Sequence, residues 1–200
     1  MKKSAVMFVL AVFCCETLSA KDTHEDPAGP SGRSSIVKPG PDTEPGKTYR
    51  RAKYITAFSQ FRGAGAEGND QPGVLGMMPS VGELEIDPDA YRSAFDHQDS
   101  TLEPGCFSVK LKDNDVQVDM TATDHVVVYR FTFPESKESH VVVDVSHMLK
   151  MFRGGDVRLR DDKTIEGTAK YDLGRGEEID IAFSFQFSKP SLALSPQSQQ

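Results

Sequence analysis

Nine consecutive residues, Ile179-Asp180-Ile181-Ala182-Phe183-Ser184-Phe185-Gln186-Phe187, put a large apolar side chain at every second position. In an extended chain successive side chains point to opposite faces, so such a run gives one apolar face and one polar or small face. The same residues wound into a helix would scatter around its axis. Alternation recurs in Phe107-Ser108-Val109-Lys110-Leu111 and in Val116 to Thr123, either side of a polar turn at Lys112 to Asp115. Val126 to Phe133 continues it and stops at Pro134, while Val157 to Arg160 and Thr164 to Gly167 flank Asp161-Asp162-Lys163 like a hairpin. His140 to Val145 is more apolar and reads as a central strand. Short strands at this spacing, joined by Gly, Asp and Asn turns, predict an all-β antiparallel β-sandwich. Helical turns are expected only at Met148 to Phe152 and Asp89 to Phe95.

The N-terminus has a different pattern. Lys2 and Lys3 precede an apolar run from Ala5 to Cys15, followed by Thr17-Leu18-Ser19-Ala20 and the charged Lys21-Asp22. A basic start, a short apolar stretch and small residues before a cut describe a secretory signal. The run is too short for a bilayer, which needs about 20 residues. Residues 1–20 are therefore expected to be a signal peptide, 21–35 a flexible lead-in, 36–188 the sandwich, and 189–200 a disordered tail or linker. The expected location is secreted or periplasmic, with no membrane attachment after cleavage. Of three Cys, two lie in the leader, so a disulfide framework is excluded. Cys106 is expected to be buried. The net charge of −7 leaves no basic surplus to neutralise phosphates, which argues against a nucleic-acid partner.

No catalytic or metal motif survives inspection. Asp113-Asn114-Asp115 begins like a calcium loop, but Gln117 and Val118 stand where a ligand and the sharp-turn Gly are needed. Gly174-Arg175-Gly176 precedes a strand, so it offers no helix N-terminus to a phosphate. His140, Asp144 and His147 read as a solvated strand edge rather than a ligand set. No Gly-x-Ser-x-Gly is present, and none of the thirty acidic residues stands out as a general acid or base.

Several ordered fragments do carry a family resemblance. They are Ile36-Val37 with Pro41-Asp42-Thr43, Ile55 with Ala57-Phe58-Ser59, Met78-Pro79, and Ser93-x-Phe95-x-His97. Further on come Glu103-Pro104-Gly105-Cys106-Phe107-Ser108-Val109, Met120-Thr121-Ala122-Thr123, Tyr129 to Pro134, and Val143-Asp144. Over about 36–167 the chain resembles the N-terminal domain of glycoside hydrolase family 92, the calcium-dependent exo-α-mannosidases. The resemblance implies a β-sandwich that precedes an (α/α)6 barrel, with the general acid, general base and calcium ligands in the barrel. The barrel is absent from this chain, so the chain alone is expected to be inactive, with no catalytic residue, metal or cofactor of its own. The implied partners are a mannose-containing glycan and a catalytic barrel domain. The alternative is a free-standing carbohydrate-binding module.

By resemblance and chemistry together, Tyr49, Ser59, Gln60, Arg62 and His97 are the candidate sugar contacts. Hydroxyl, amide and guanidinium groups bond sugar hydroxyls, and a phenol ring stacks beneath a pyranose. Departures from the family pattern fall on the cleft side: Gln60, Phe61 and Arg62 replace its His-bearing segment, and Trp is absent. Val74, Leu75, Met77 and Met78, with Phe58 and Phe61, are expected to form a partly exposed apolar face that meets the barrel, leaving an isolated chain marginal or self-associating.

Overall fold

The computed structural model describes residues 5–16, 40–44, 47, 49–61, 73–103, 106–123, 126–136, 138–147, 151–174 and 177–190. The lead-in, Arg62 and the tail beyond residue 190 lie outside them. Along the described chain run β1 (Ala5–Glu16), β2 (Gly40–Thr43), β3 (Tyr54–Phe61), β4 (Val74–Val81), α1 (Pro88–Tyr91), β5 (Ser93–Ala94) and β6 (Thr101–Glu103). They are followed by β7 (Cys106–Leu111), β8 (Val116–Ala122), β9 (Val126–Phe133), β10 (Ser139–Asp144), β11 (Phe152–Leu159), β12 (Thr164–Gly174) and β13 (Glu177–Phe187).

Two antiparallel sheets result. The larger has eight strands in the order β11-β12-β13-β1-β9-β8-β7-β6, and the smaller runs β10-β4-β3-β2 with β5 paired to β3. The alternating runs supply the inner face of the large sheet: Phe107, Val109, Val118, Val127, Tyr129, Phe131, Ile181, Phe183, Phe185 and Phe187 are all buried. Ile55, Phe58, Leu75 and Met77 are buried on the small sheet. The two layers meet through aromatic contacts, Phe58 lying 6.1 Å from Phe107 and 6.5 Å from Tyr129 between ring centroids. Edge-to-face and tilted pairs of this kind add to the area each ring removes from water.

Four expectations change. His140 to Val145 is not central: β10 is an edge strand, half covered along its whole length. A valine run satisfies either setting, because partial cover on both faces suits it as well as full burial on one. Cys106 is exposed at the start of β7, where it pairs with Thr121, also exposed. Of the turn expected at Met148 to Phe152, residues 148–150 lie outside the described residues and Phe152 belongs to a strand, and of Asp89 to Phe95 only Asp89 to Tyr91 is helical, behind an Asp87 cap that accepts from the Asp89 N–H at 2.9 Å. Lastly, Val74, Leu75, Met77, Met78 and Phe58 are no exposed face, since each is at most 3% exposed. β4 sits between β3 and β10 with both its faces covered, so a continuous apolar run is what its place demands.

The segment read as a leader forms β1 here, antiparallel to both of its neighbours. Ala5 to Val12 pair with Phe133 to Val126, and Val9 to Glu16 pair with Phe187 to Asp180. Its register positions opposite the outward residues Thr132, Arg130, Gln186 and Ser184 hold Val6, Phe8, Leu10 and Val12. They are as apolar as the positions opposite the core, so β1 does not share the alternation of the strands beside it.

Candidate functional site

At the outer end of the small sheet, polar side chains are buried together. Asp42 on β2 is 2% exposed and His147, in the turn after β10, is 7% exposed. His147 Nε2 lies 2.9 Å from Asp42 Oδ2, while the other carboxylate oxygen accepts from Ser59 Oγ at 3.1 Å and the Gly73 N–H at 3.0 Å. On its far side, His147 Nδ1 lies 3.9 Å from Asp144 Oδ2. Asp144 also accepts from Ser146 Oγ at 2.8 Å and from the Tyr91 hydroxyl. Burial, then the charge of Asp144 and that hydrogen bond, push the Tyr91 phenol well above its ordinary range. Tyr171 on β12 donates to the Val145 carbonyl; burial first, and Asp144 second, raise its phenol too. Both tyrosines therefore stay protonated donors, and the network ties the small sheet to β12 of the large one.

Local geometry explains the fit. Gly76 lies beneath the imidazole, and a Cβ built there would come within 2.8 Å of His147 Cγ. Leu75 next to it has φ of 60°, a left-handed conformation that costs a non-glycine residue on the order of 1–3 kcal/mol. Chemically the arrangement is a staple. Ser59 Oγ donates to Asp42 and not to His147, so no hydroxyl is set up as a nucleophile by the imidazole. The carboxylates are already filled by protein donors and do not fit a calcium ion, and among the described residues no group of three or more His, Cys, Asp and Glu is placed to hold a metal.

The candidate sugar contacts divide between two places. Tyr49 and His97 come together: the Tyr49 ring stacks on Phe95 at 5.1 Å and meets the His97 ring edge-on at 5.2 Å. His97 is exposed, and its Nε2 lies 3.1 Å from the Ala52 carbonyl. Burial raises the Tyr49 phenol, with a hydrogen bond from Ser100 acting the other way. Ser59 and Gln60 are elsewhere and fully buried. The Gln60 amide brackets the Tyr129 hydroxyl, 2.8 Å from Nε2 and 3.0 Å from Oε1, inside the sandwich. As placed, neither Ser59 nor Gln60 has surface to offer a ligand, and Arg62 is not among the described residues. The buried network went unread because His147 looks like any surface histidine after a strand. The signal lay in Asp42 and Asp144, which stand inside the fragments that carry the resemblance.

Two antiparallel sheets packed around an aromatic core make this a β-sandwich domain. The sequence model of the glycosyl hydrolase family 92 N-terminal domain matches residues 28–196, and the chain belongs to that family. A protein of the fungus Arthroderma benhamiae described as an uncharacterized secreted glycosidase is 26% identical over 54% of this chain. Among solved structures, the family 92 glycosyl hydrolase ccman5 superposes with a TM-score of 0.60 at 17% identity over 78% of the chain. The family 92 α-mannosidase BT3965 of Bacteroides thetaiotaomicron gives 0.52 at 19% identity over 68%. At these identities the structures show a shared fold. The chain spans 16% of the fungal protein and 29% and 26% of the two solved chains. Among the described residues, no helix is long and apolar enough to cross a membrane.

Proposed function

We propose that this chain is the non-catalytic, substrate-side sandwich of a secreted family 92 type α-mannosidase and acts on glycans only together with a catalytic (α/α)6 barrel. The observation that carries this reading is the family match over 28–196, which takes in every described strand except β1, in a chain that covers under a third of each relative's length. The buried network of Asp42 and His147 supports it from the chemical side, since its groups are spent on one another. Residues 1–20 are removed on export in this reading. Support comes from the order of basic, apolar and small residues, from the relative described as secreted, and from a family match that begins only at residue 28.

One observation favours the second reading, a free-standing carbohydrate-binding module. Ile55, Ala57 and Phe58 of β3 and Val74, Leu75, Met77 and Met78 of β4 are packed inside, and the most exposed large apolar side chains among the described residues are Leu84 and Ile86, in an acidic loop, at 52% and 47%. A domain built like this needs no partner to keep its core dry.

In both readings the exposed His97 meets sugar, its imidazole offered beside exposed Gln98 and Asp99, while Tyr49, whose hydroxyl is buried, packs its ring behind it and holds it in place. Titrating the secreted protein with a mannose-containing oligosaccharide is expected to show saturable binding that His97→Ala weakens about tenfold, the loss of one or two hydrogen bonds. Binding that His97→Ala leaves unchanged removes this patch from the site.

A further inference from the structure

We infer that two copies of this chain associate by strand addition, Glu83 to Ile86 of each pairing antiparallel with the free edge of β11 in the other. Among the described residues, the exposed large apolar side chains are Leu84, Ile86 and Leu159. The first two alternate with acid in Glu83-Leu84-Glu85-Ile86, an exposed stretch between β4 and α1. No hydrogen bond among the described residues uses its backbone, yet both its ends are fixed: the Gly82 N–H donates to the Glu138 carbonyl at 2.8 Å, and Asp87 caps α1. Leu159 alternates instead with base, in Val157-Arg158-Leu159-Arg160 across the end of β11. β11 is the end strand of the large sheet. The Arg160 N–H donates to the Thr164 carbonyl at 2.9 Å, and antiparallel ladders alternate, so Val157 and Leu159 turn their N–H and C=O groups away from β12.

The two segments are complementary in charge and matched in parity. Set antiparallel, Glu83 faces Arg160, Leu84 faces Leu159, Glu85 faces Arg158 and Ile86 faces Val157. An added strand draws main-chain bonds from an open edge, and its side chains decide which strand is admitted. The arginines have charge to spare: Arg158 and Arg160 share the single carboxylate of Glu166, at 3.3 and 2.9 Å, with 73% and 67% of their side chains exposed. The same charges guard the edge against itself, since β11 laid on a second β11 sets arginine against arginine. A parallel alignment sets Glu83 against Asp156, whereas the antiparallel one ends before Asp87, which is held as the α1 cap. Within one molecule no hydrogen bond or ion pair joins the two segments among the described residues. They do share a flank of the sandwich. The acidic segment leaves β4 beside the start of β10, β10 and β11 are the end strands of their sheets, and Tyr171 on β12 bonds the Val145 carbonyl just past β10. Two copies facing through that flank make the contact twice, each loop on the other's edge, and the pair closes on itself.

The test is sedimentation equilibrium of the purified full chain, with Glu85→Arg and Arg158→Glu made singly, mixed and combined. The wild type is expected to dimerise, and more weakly as salt is raised. Each single variant should weaken dimerisation about tenfold or more by setting like charges opposite each other, with Tm little changed because both side chains are exposed. An equimolar mixture of the two single variants should recover the dimer, since each of its two contacts then pairs opposite charges. The double variant should recover it alone. Glu85→Arg lies in a loop where it disturbs no bond of the fold, so its effect reads association and not folding. A wild type that stays monomeric up to about 1 mM overturns the inference. So does a dimer that neither single variant weakens, or a mixture that fails to recover it; the acidic loop and the basic edge then face some other occupant, such as a catalytic barrel. Growth beyond the dimer overturns the reciprocal arrangement.

Discussion

Met77→Ser is expected to lower the stability of the folded chain by roughly 3–5 kcal/mol, from the loss of a buried thioether side chain and the burial of a hydroxyl. Met77 is fully buried on β4, paired with Phe58 on one side and Val143 on the other. For a domain of this size each kcal/mol moves Tm by roughly 2–4 °C, so the midpoint should fall by about 6–20 °C. Urea unfolding should show a lower midpoint with an unchanged slope, the mark of lost stability without a change in the surface exposed. An exposed barrel-facing methionine would behave in the opposite way, with better solubility and an unaltered Tm. That outcome would return β4 to the surface and restore the picture of an incomplete interface.

Asp42→Ala should cost a similar amount, about 3–5 kcal/mol, for a different reason. Asp42 is the common acceptor for His147, Ser59 and the Gly73 amide, all of them shut away from water. Removing it strands three buried donors at once, and leaving polar groups unpaired is costlier than never having buried them. Asp42→Asn keeps an oxygen for Ser59 and Gly73 and should recover a good part of the loss. Chemical unfolding of the two variants checks this ordering. Equal stability for wild type and Asp42→Ala, within about 0.5 kcal/mol, would mean that the network is not closed in solution.

The second half of the fold was legible in its residues because its strands follow the period of two. From Phe107 to Leu111, Val126 to Phe133 and Ile181 to Phe187, inward parity matches the buried set residue by residue, while Ile179 at the open end of its run is only partly covered. The first half was not, for physical reasons. β4 is covered on both faces and therefore shows no alternation, and β3 carries Ser59 and Gln60 into the interior, where their hydrogen bonds are met by Asp42 and Tyr129. A pattern that equates polar with exposed misplaces both residues, and this is why Ser59 and Gln60 stood among the sugar contacts. Edge and centre were equally opaque for β10, because valine is at home in either. Of the site, His97 stands in a fragment that carries the resemblance, but Tyr49 does not, and the contact between their rings was not legible. The Asp42–His147 bond joins residues 105 positions apart, a distance that local patterning does not reach.

The division of labour between this sandwich and a catalytic barrel is tested most directly by hydrolysis. The secreted chain, purified to homogeneity and supplied with calcium and an α-mannoside, is expected to release no mannose above the rate of a heat-denatured control. Turnover by this chain alone, abolished by substituting a single one of its own carboxylates, would contradict that account and place an acid or base inside the sandwich.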